Sequence, residues 1–444
     1  MIASSIGKRF LEYYNQKNNT NLSAEEFFKE KFVPLVFDHP NYMIPGGNSP
    51  LENPKIKKGQ RPDAENRRIR IAKFYEKIET DPAGSSAIGY PSTDILATTS
   101  GQVSNITFPI TPENVMLSWI GGCLGIGIEG GVSIYFQNEN IFNTLFEGWL
   151  LYREFLNTTP NLRPNQINTW NGQWLAHAFS SDFDPGEPTA DFQPFENTKE
   201  GGLEVVTQSW VKVLLGIARQ FPQEQLTGYV YNLGQTNTTV GFIPFNLPKL
   251  IRPMQIYKHL FGENQYLDDT KKIEQLFGTA FGFVKACQLG VIGVAALEPK
   301  GLRGLIPAGT GKVSTPNFDK LDDTKRVTFN TYITWILAML DNETLWEEAG
   351  NAAQTLLNFE AGAKKAGRDR INLVKNLLEA RGKKQVLDCV TPIIELAKNA
   401  EPLLHFSKTV HLMTTDNVPY FLTLVRLRFA ELNRKPEQII MSLN

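Results

Sequence analysis

The sequence predicts an α+β protein, an irregular, β-rich mixed body followed by a basic C-terminal helical bundle. Three observations lead there. Short runs of β-branched and aromatic residues alternate with turn formers through the first half of the chain. Beyond about residue 260, apolar residues recur at three- and four-residue spacing. The 444 residues exceed the usual size of one domain and suffice for a large core. The chain divides on this reading into residues 1–87, helical with a basic loop, 88–259, β-rich and mixed, and 260–444, helical and basic.

In the first zone, "SAEEFFKEKF" sets Ser23 three residues ahead of Glu26, the spacing of a capping box, and predicts a helix start. "HPNYMIPGGNSPLENPKIKKGQRP" follows, where Pro and Gly break any regular element. In the second zone, strands are expected at "DILATT", "VSNITFPI", "GGVSIYF", "GLEVVTQSWVKVLL" and "LTGYVYNL", with a helix at "ENIFNTLFEGWLLYREFL". In the third, "INLVKNLLEARGKK" places Ile371, Val374, Leu377 and Leu378 on one helical face with basic residues opposite. "LAMLDNETLWEEAGNAAQTLLNF" and "TPIIELAKNAEPLLHFSKTVHLM" share that period. No repeat of about 20–50 residues is visible, which argues against a solenoid.

Composition narrows the class. Apolar residues make up 41% and charged residues 20%, the balance of an ordinary globular protein. No apolar run approaches the roughly 18 residues of a membrane span, and "MIASSIGKRFLEYYN" lacks the apolar core of a signal peptide. Cys123, Cys287 and Cys389 stand far apart and match no zinc spacing. So sparse and odd a set fits a reducing cytosol, which also empties the sequon "NNT" of meaning. A cytoplasmic protein without membrane partners is expected.

Motif look-alikes do not amount to a catalytic site. "GIGIEGG" holds Gly125, Gly127 and Gly130 at G-x-G-x-x-G spacing, but a dinucleotide site needs a helix next and "GVSIYF" favours a strand. "PAGTGKVS" matches a P-loop only at Gly311 and Lys312, since Ile306 and Val313 occupy positions that need Gly and Ser or Thr. "LDDTKK" and "LDDTKR" each hold the Asp-x-Lys tail of a metal-dependent nuclease. Both stand where a helix starts, and Asp there satisfies free amides. His39, His177, His259, His405 and His411 are isolated and read as structural. No catalytic residue, metal site or cofactor is expected.

Charge is the stronger signal. From Lys55 to Lys77 nine basic residues face three acids, and from Ala361 to Asn444 fourteen face eight, on a chain whose net charge is −1. "SDFDPGEPTADFQPFENTKEGGLE" supplies seven acids against one lysine. Such segregation suits a protein that grips a polyanion, because phosphate contacts dominate affinity for nucleic acid; a solvated helix face is the plainer account of any single run. Candidate backbone contacts are Lys57, Lys58, Arg67, Arg68, Arg70, Lys364, Lys365, Arg368, Arg370, Lys383 and Lys384. Two polar stretches, "TSGQVSNITFPI" and "NLGQTNTTVGFIPF", add candidate base readers. Gln102, Asn105, Gln235 and Asn237 carry amides that can pair two-pronged with adenine, though Asn, Gly and Thr also form turns that cap their own backbone.

This layout, a mixed body with polar loops, then a basic helical bundle, resembles the large subunit of a type I CRISPR Cascade. The resemblance covers most of the chain and rests on organisation rather than on a diagnostic motif. It implies a nucleic-acid-binding subunit of a prokaryotic antiviral defence complex. Its partners would be DNA, guide RNA and other protein subunits. The polar loops would recognise a short duplex motif, and "AGAKKAGRDR" with "EARGKK" would supply backbone contacts. A restriction-type nuclease using Asp319, Asp322, Asp323 and Lys325 is the alternative. An assembly protein whose acidic and basic zones pair between subunits is another.

Overall fold

The capping box at Ser23 forms. Ser23 Oγ accepts from the Glu26 amide at 3.2 Å, and the Glu26 carboxylate accepts from the Ser23 amide at 2.7 Å, which holds that carboxyl below its usual pKa. In this computed structural model, residues 1–46, 49–51, 64–83, 86–90, 109–232, 238–261, 277–279, 282–289, 292–299, 323–362 and 367–433 are described. Contacts divide the chain into two units, Met1–Leu250 with Phe281–Ala296, and Ile251–Ala280 with Leu297–Asn444. The sequence boundary near residue 87 falls inside the first.

The first unit is built on helices α1 (Ile2–Asn18), α2 (Ala24–Phe27), α3 (Val33–Val36), α4 (Ala64–Thr80), α5 (Pro112–Cys123), α6 (Glu139–Thr158), α7 (Ile167–Ala178) and α8 (Trp210–Gln220). A π-helical turn, Phe28–Phe32, joins α2 to α3. Helices α1 and α5 cross almost backbone to backbone. A Cβ on Gly7 would stand 2.0 Å from the Leu117 carbonyl oxygen, and one on Gly121 would stand 1.9 Å from that of Ala3. Around this crossing lies an aromatic core. Phe10 meets Phe27, Phe142, Phe146 and Trp149 at ring separations of 5.7–5.9 Å, and Phe32 adds a further edge to Trp149.

One four-stranded antiparallel sheet runs in the order β1 (Ile126–Ile128), β2 (Val132–Phe136), β5 (Gln225–Asn232), β6 (Thr238–Asn246). A separate two-stranded ribbon pairs β3 (Phe195–Asn197) with β4 (Leu203–Val205). The segment "GLEVVTQSWVKVLL", expected as strand throughout, is strand only over Leu203–Val205. Ser209 then accepts a hydrogen bond from the Lys212 amide and starts α8, whose Trp210, Val213, Leu214 and Ile217 are buried. The 3–4-residue spacing of those apolar positions outweighs the β propensity of the valines. Strand β1 lies against α7, where Gly172 leaves no room for a side chain: its Cβ would stand 2.1 Å from the Gly127 carbonyl oxygen. Asn171, fully buried, ties α7 to the turn between α5 and β1 by donating to the carbonyls of Cys123 and Gly125 at 2.7 and 2.8 Å, while it accepts from Trp149 Nε1 at 3.1 Å. From the second block of this unit, α10 (Phe283–Leu289) sets Phe283 against Trp210 and Phe245.

Helix α9 (Leu247–Phe261) carries the chain from the first unit into the second. The second unit holds a small ribbon of β7 (Phe277–Thr279) and β8 (Leu297–Pro299) and the helices α11 (Asp323–Met339), α12 (Leu345–Ala361), α13 (Gly367–Glu379), α14 (Lys383–Leu396), α15 (Glu401–Leu412) and α16 (Val418–Leu432). The expected helical bundle is present, and with the sheet it makes the chain α+β. Val374 and Leu377 bury their side chains as their spacing predicts, whereas Ile371, on the same stripe but at the start of α13, stays 51% exposed.

Candidate nucleic-acid interface

Of the selected residues, Arg67, Arg68 and Arg70 fall on α4, Arg368 and Arg370 on α13, and Lys383 and Lys384 on α14. Lys57, Lys58, Gln102, Asn105, Gln235, Asn237, Lys364 and Lys365 lie outside the described residues. The described candidates belong to separate units, and each group stands by itself.

On α4 the only fully buried side chains are Phe74 and Ile78. Arg67 shares that side, where its Nε lies 3.6 Å from Asp38 Oδ1 and its side chain is only 14% exposed, so it anchors the helix. Arg68 is exposed. Arg70, Lys73 and Lys77, at i, i+3 and i+7, form a stripe beside the buried seam. Charge counting includes Lys73 and Lys77, but it takes the helical spacing from Arg70 to single them out.

In the bundle, part of the positive charge closes helix ends. The last carbonyls of a helix have no intrahelical donor, and buried ones need a partner. Arg370 donates to the Phe359 carbonyl at 3.2 Å and lies over the Phe359 ring at 4.6 Å, at the end of α12. Lys383 donates to the Met413 carbonyl at 2.9 Å, beyond α15. Arg426 donates to the Leu378 carbonyl and, at 2.7 Å, to that of Ala380, closing α13, and burial pulls its pKa down. The first unit repeats the device. Arg153 donates to the carbonyls of Leu35 and Val36 at 2.8 and 3.2 Å, at the end of α3, and to that of Asn41 at 3.0 Å beyond it, and burial lowers its pKa to about 10. Arg370 and Lys383 are therefore tied to the fold by these bonds. Arg368, Arg381 and Lys384 remain exposed.

These roles separate by experiment. Arg426→Met is expected to destabilise the protein by about 2–3 kcal/mol, because it removes charge-assisted hydrogen bonds to two carbonyls. Arg368→Ala should leave the unfolding midpoint unchanged. Chemical denaturation of the two variants checks both.

The stretch holding Gln235 and Asn237 links β5 to β6. Beside it, Tyr135 on β2, Tyr229 on β5 and Phe242 on β6 stand in register across the sheet, with ring separations of 6.4 and 5.2 Å. Phe242 is 63% exposed. The acidic run forms a strap over α7. Phe192 stacks on His177 at 4.5 Å, Phe183 meets Trp174 at 5.9 Å and Phe195 meets Trp170 at 6.3 Å. Asp184, Glu187, Asp191, Glu196 and Glu200 are exposed, while Glu204 pairs with Arg163 at 2.9 Å. Pattern reading found the strap's charge but not its aromatic anchors, whose irregular spacing carries no periodic signal.

Two of the motif look-alikes fall on described residues and are local structure there. "GIGIEGGVSIYF" is the β1–β2 hairpin, and Gly130 and Gly131 turn it at φ of +92° and +70°, where a side chain would be strained. Asp323 opens α11, the helix start expected of "LDDTKR", while "LDDTKK" and "PAGTGKVS" lie outside the described residues. His39 Nδ1 accepts from the Asn41 amide at 3.0 Å, and His405 and His259 lie 3.0 and 3.4 Å from Glu348 and Glu343. Among the described residues no three His, Cys, Asp or Glu side chains group as a metal site. No helix among them is long and apolar enough to cross a membrane. No family model, curated protein or solved structure matches the chain.

Proposed function

We propose that this chain binds nucleic acid. Exposed cations on its helices hold the sugar–phosphate backbone, and the polar stretch between β5 and β6 meets base edges. The observation that carries the reading is the charge left over once internal duties are met. Arg68, Lys73, Arg368, Arg381 and Lys384 stay exposed, whereas Arg67 pairs with Asp38 and Arg370, Lys383 and Arg426 donate to carbonyls at helix ends. The narrower form of the proposal, a DNA-recognising subunit of a prokaryotic antiviral complex with guide RNA and protein partners, rests on the layout of an α+β body and a helical bundle.

Two double variants test it against a randomised duplex, with partner subunits added in one arm. Gln235→Ala with Asn237→Ala should cost roughly 1–3 kcal/mol on the preferred sequence and relax preference at one base pair. Lys364→Ala with Lys365→Ala should weaken all sequences alike and lower the salt dependence. If the amide variant kept the full preference, that stretch would be a turn and no more.

The acidic strap favours a second reading, a docking surface for a basic protein in a charge-segregated assembly. Aromatic anchors hold a predominantly acidic loop in place, which suits steered association. It would replace the first reading if the chain bound neither DNA nor RNA at low salt yet joined a basic protein in a salt-sensitive complex.

A further inference from the structure

The geometry points to α4 as a phosphate-tracking element, with Lys73 and Lys77 alongside Arg70 as its contacts along one nucleic-acid strand. This inference rests on the nucleic-acid reading and names the part of the first unit that would carry it. Arg70 to Lys77 spans about 10 Å of helix, and at about 3.4 Å of axis per phosphate on one strand that covers about three phosphates. Lys73 is exposed and Lys77 half-buried, and neither makes an ion pair with a described residue. The surrounding charges behave differently. Lys29 bridges Glu25 at 2.6 Å and Glu79 at 3.2 Å, and Arg67 is turned to Asp38, so the acid on that flank of α4 is already answered. Glu65 lies off the stripe, while Glu76, three residues after Lys73, borders it, so Arg70, Lys73 and Lys77 stand against one acid of the helix.

A polyanion is thus the complementary occupant, and the fold favours nucleic acid over an anionic lipid surface. An interfacial helix needs an apolar face to sink between headgroups. Of the large apolar residues of α4, Phe74 and Ile78 are wholly buried and Ile71 half-buried, which leaves Ile69, 46% exposed, as its one large exposed apolar side chain.

The test is Lys73→Gln with Lys77→Gln, compared with Lys73→Arg and Lys77→Arg, in duplex-binding titrations over a range of salt. The glutamine pair should lower the slope of log affinity against log salt by about 1.8, at about 0.9 per phosphate contact, with the arginine pair unchanged. Helical circular dichroism and the unfolding midpoint should not move. If the wild type binds and the glutamine pair shows the same slope, α4 is not the contact, while the broader reading stands. If the wild type binds no DNA or RNA at low salt, both fall. If the glutamine pair instead loses binding to phosphatidylserine vesicles and keeps its slope on DNA, the stripe is a membrane contact and the assignment is overturned.

Discussion

Gly121→Val is expected to unfold the first unit or to cost it at least about 3 kcal/mol, read as a fall in the urea midpoint. The reason is geometric. The added Cβ would lie 1.9 Å from the Ala3 carbonyl oxygen, and both partners are backbone, so no rotamer change relieves the clash. Helices α1 and α5 would have to separate, and the pair they form is the base on which Phe10 and Trp119 are held. Gly121→Ala should already show a large share of the loss, because the Cβ itself collides. A midpoint within error of wild type for the alanine variant would mean that the crossing yields easily.

Trp149→Ala should be comparably severe, at about 3–5 kcal/mol. Its ring is wholly buried against Phe10, Phe32 and Phe146, and its Nε1 is the donor to Asn171 Oδ1. Truncation leaves a cavity, and it also leaves a buried acceptor without that donor, worth roughly a further 1–3 kcal/mol where no water replaces it. Trp149→Phe separates the two contributions. It keeps most of the ring and loses the donor, so an intermediate loss is expected. If Trp149→Phe matched wild type in chemical denaturation, the hydrogen bond to Asn171 would contribute nothing.

Local signals were the legible part of this sequence. The capping box at Ser23, the strand after "GIGIEGG", the helix at "ENIFNTLFEGWLLYREFL" and the helix start at Asp323 all depend on residues within a turn or two of one another. Where two local signals compete, as in "SWVKVLL", helical spacing prevailed because Trp210, Val213 and Ile217 have a core to enter. Less legible was what each charge does. Nothing in the spacing of Arg370, Lys383 or Arg426 marks them as donors to helix ends 11 to 48 residues away, since those carbonyls come near only once the helices pack. Counting basic residues therefore does not reveal which of them also hold helix ends in the bundle. The stripe on α4 was within reach of pattern reading, because 70, 73 and 77 follow helical spacing. The ring ladder of Tyr135, Tyr229 and Phe242 was not, because it depends on β2, about 90 residues earlier in the chain, pairing with β5.

The return of residues 281–296 to the first unit has a consequence for how the protein is made. Phe283 lies against Trp210 and Phe245, so an emerging polypeptide that has reached Leu250 still lacks a piece of its own core. Translation at roughly 5–20 residues per second leaves that surface uncovered for some seconds while the next stretch is made. During that interval the nascent chain offers a sticky apolar patch to whatever is nearby, including neighbouring ribosomes' products. A gene cut after codon 250 would prolong this hazard indefinitely, so the first unit is a poor choice for expression by itself unless the later segment is grafted on.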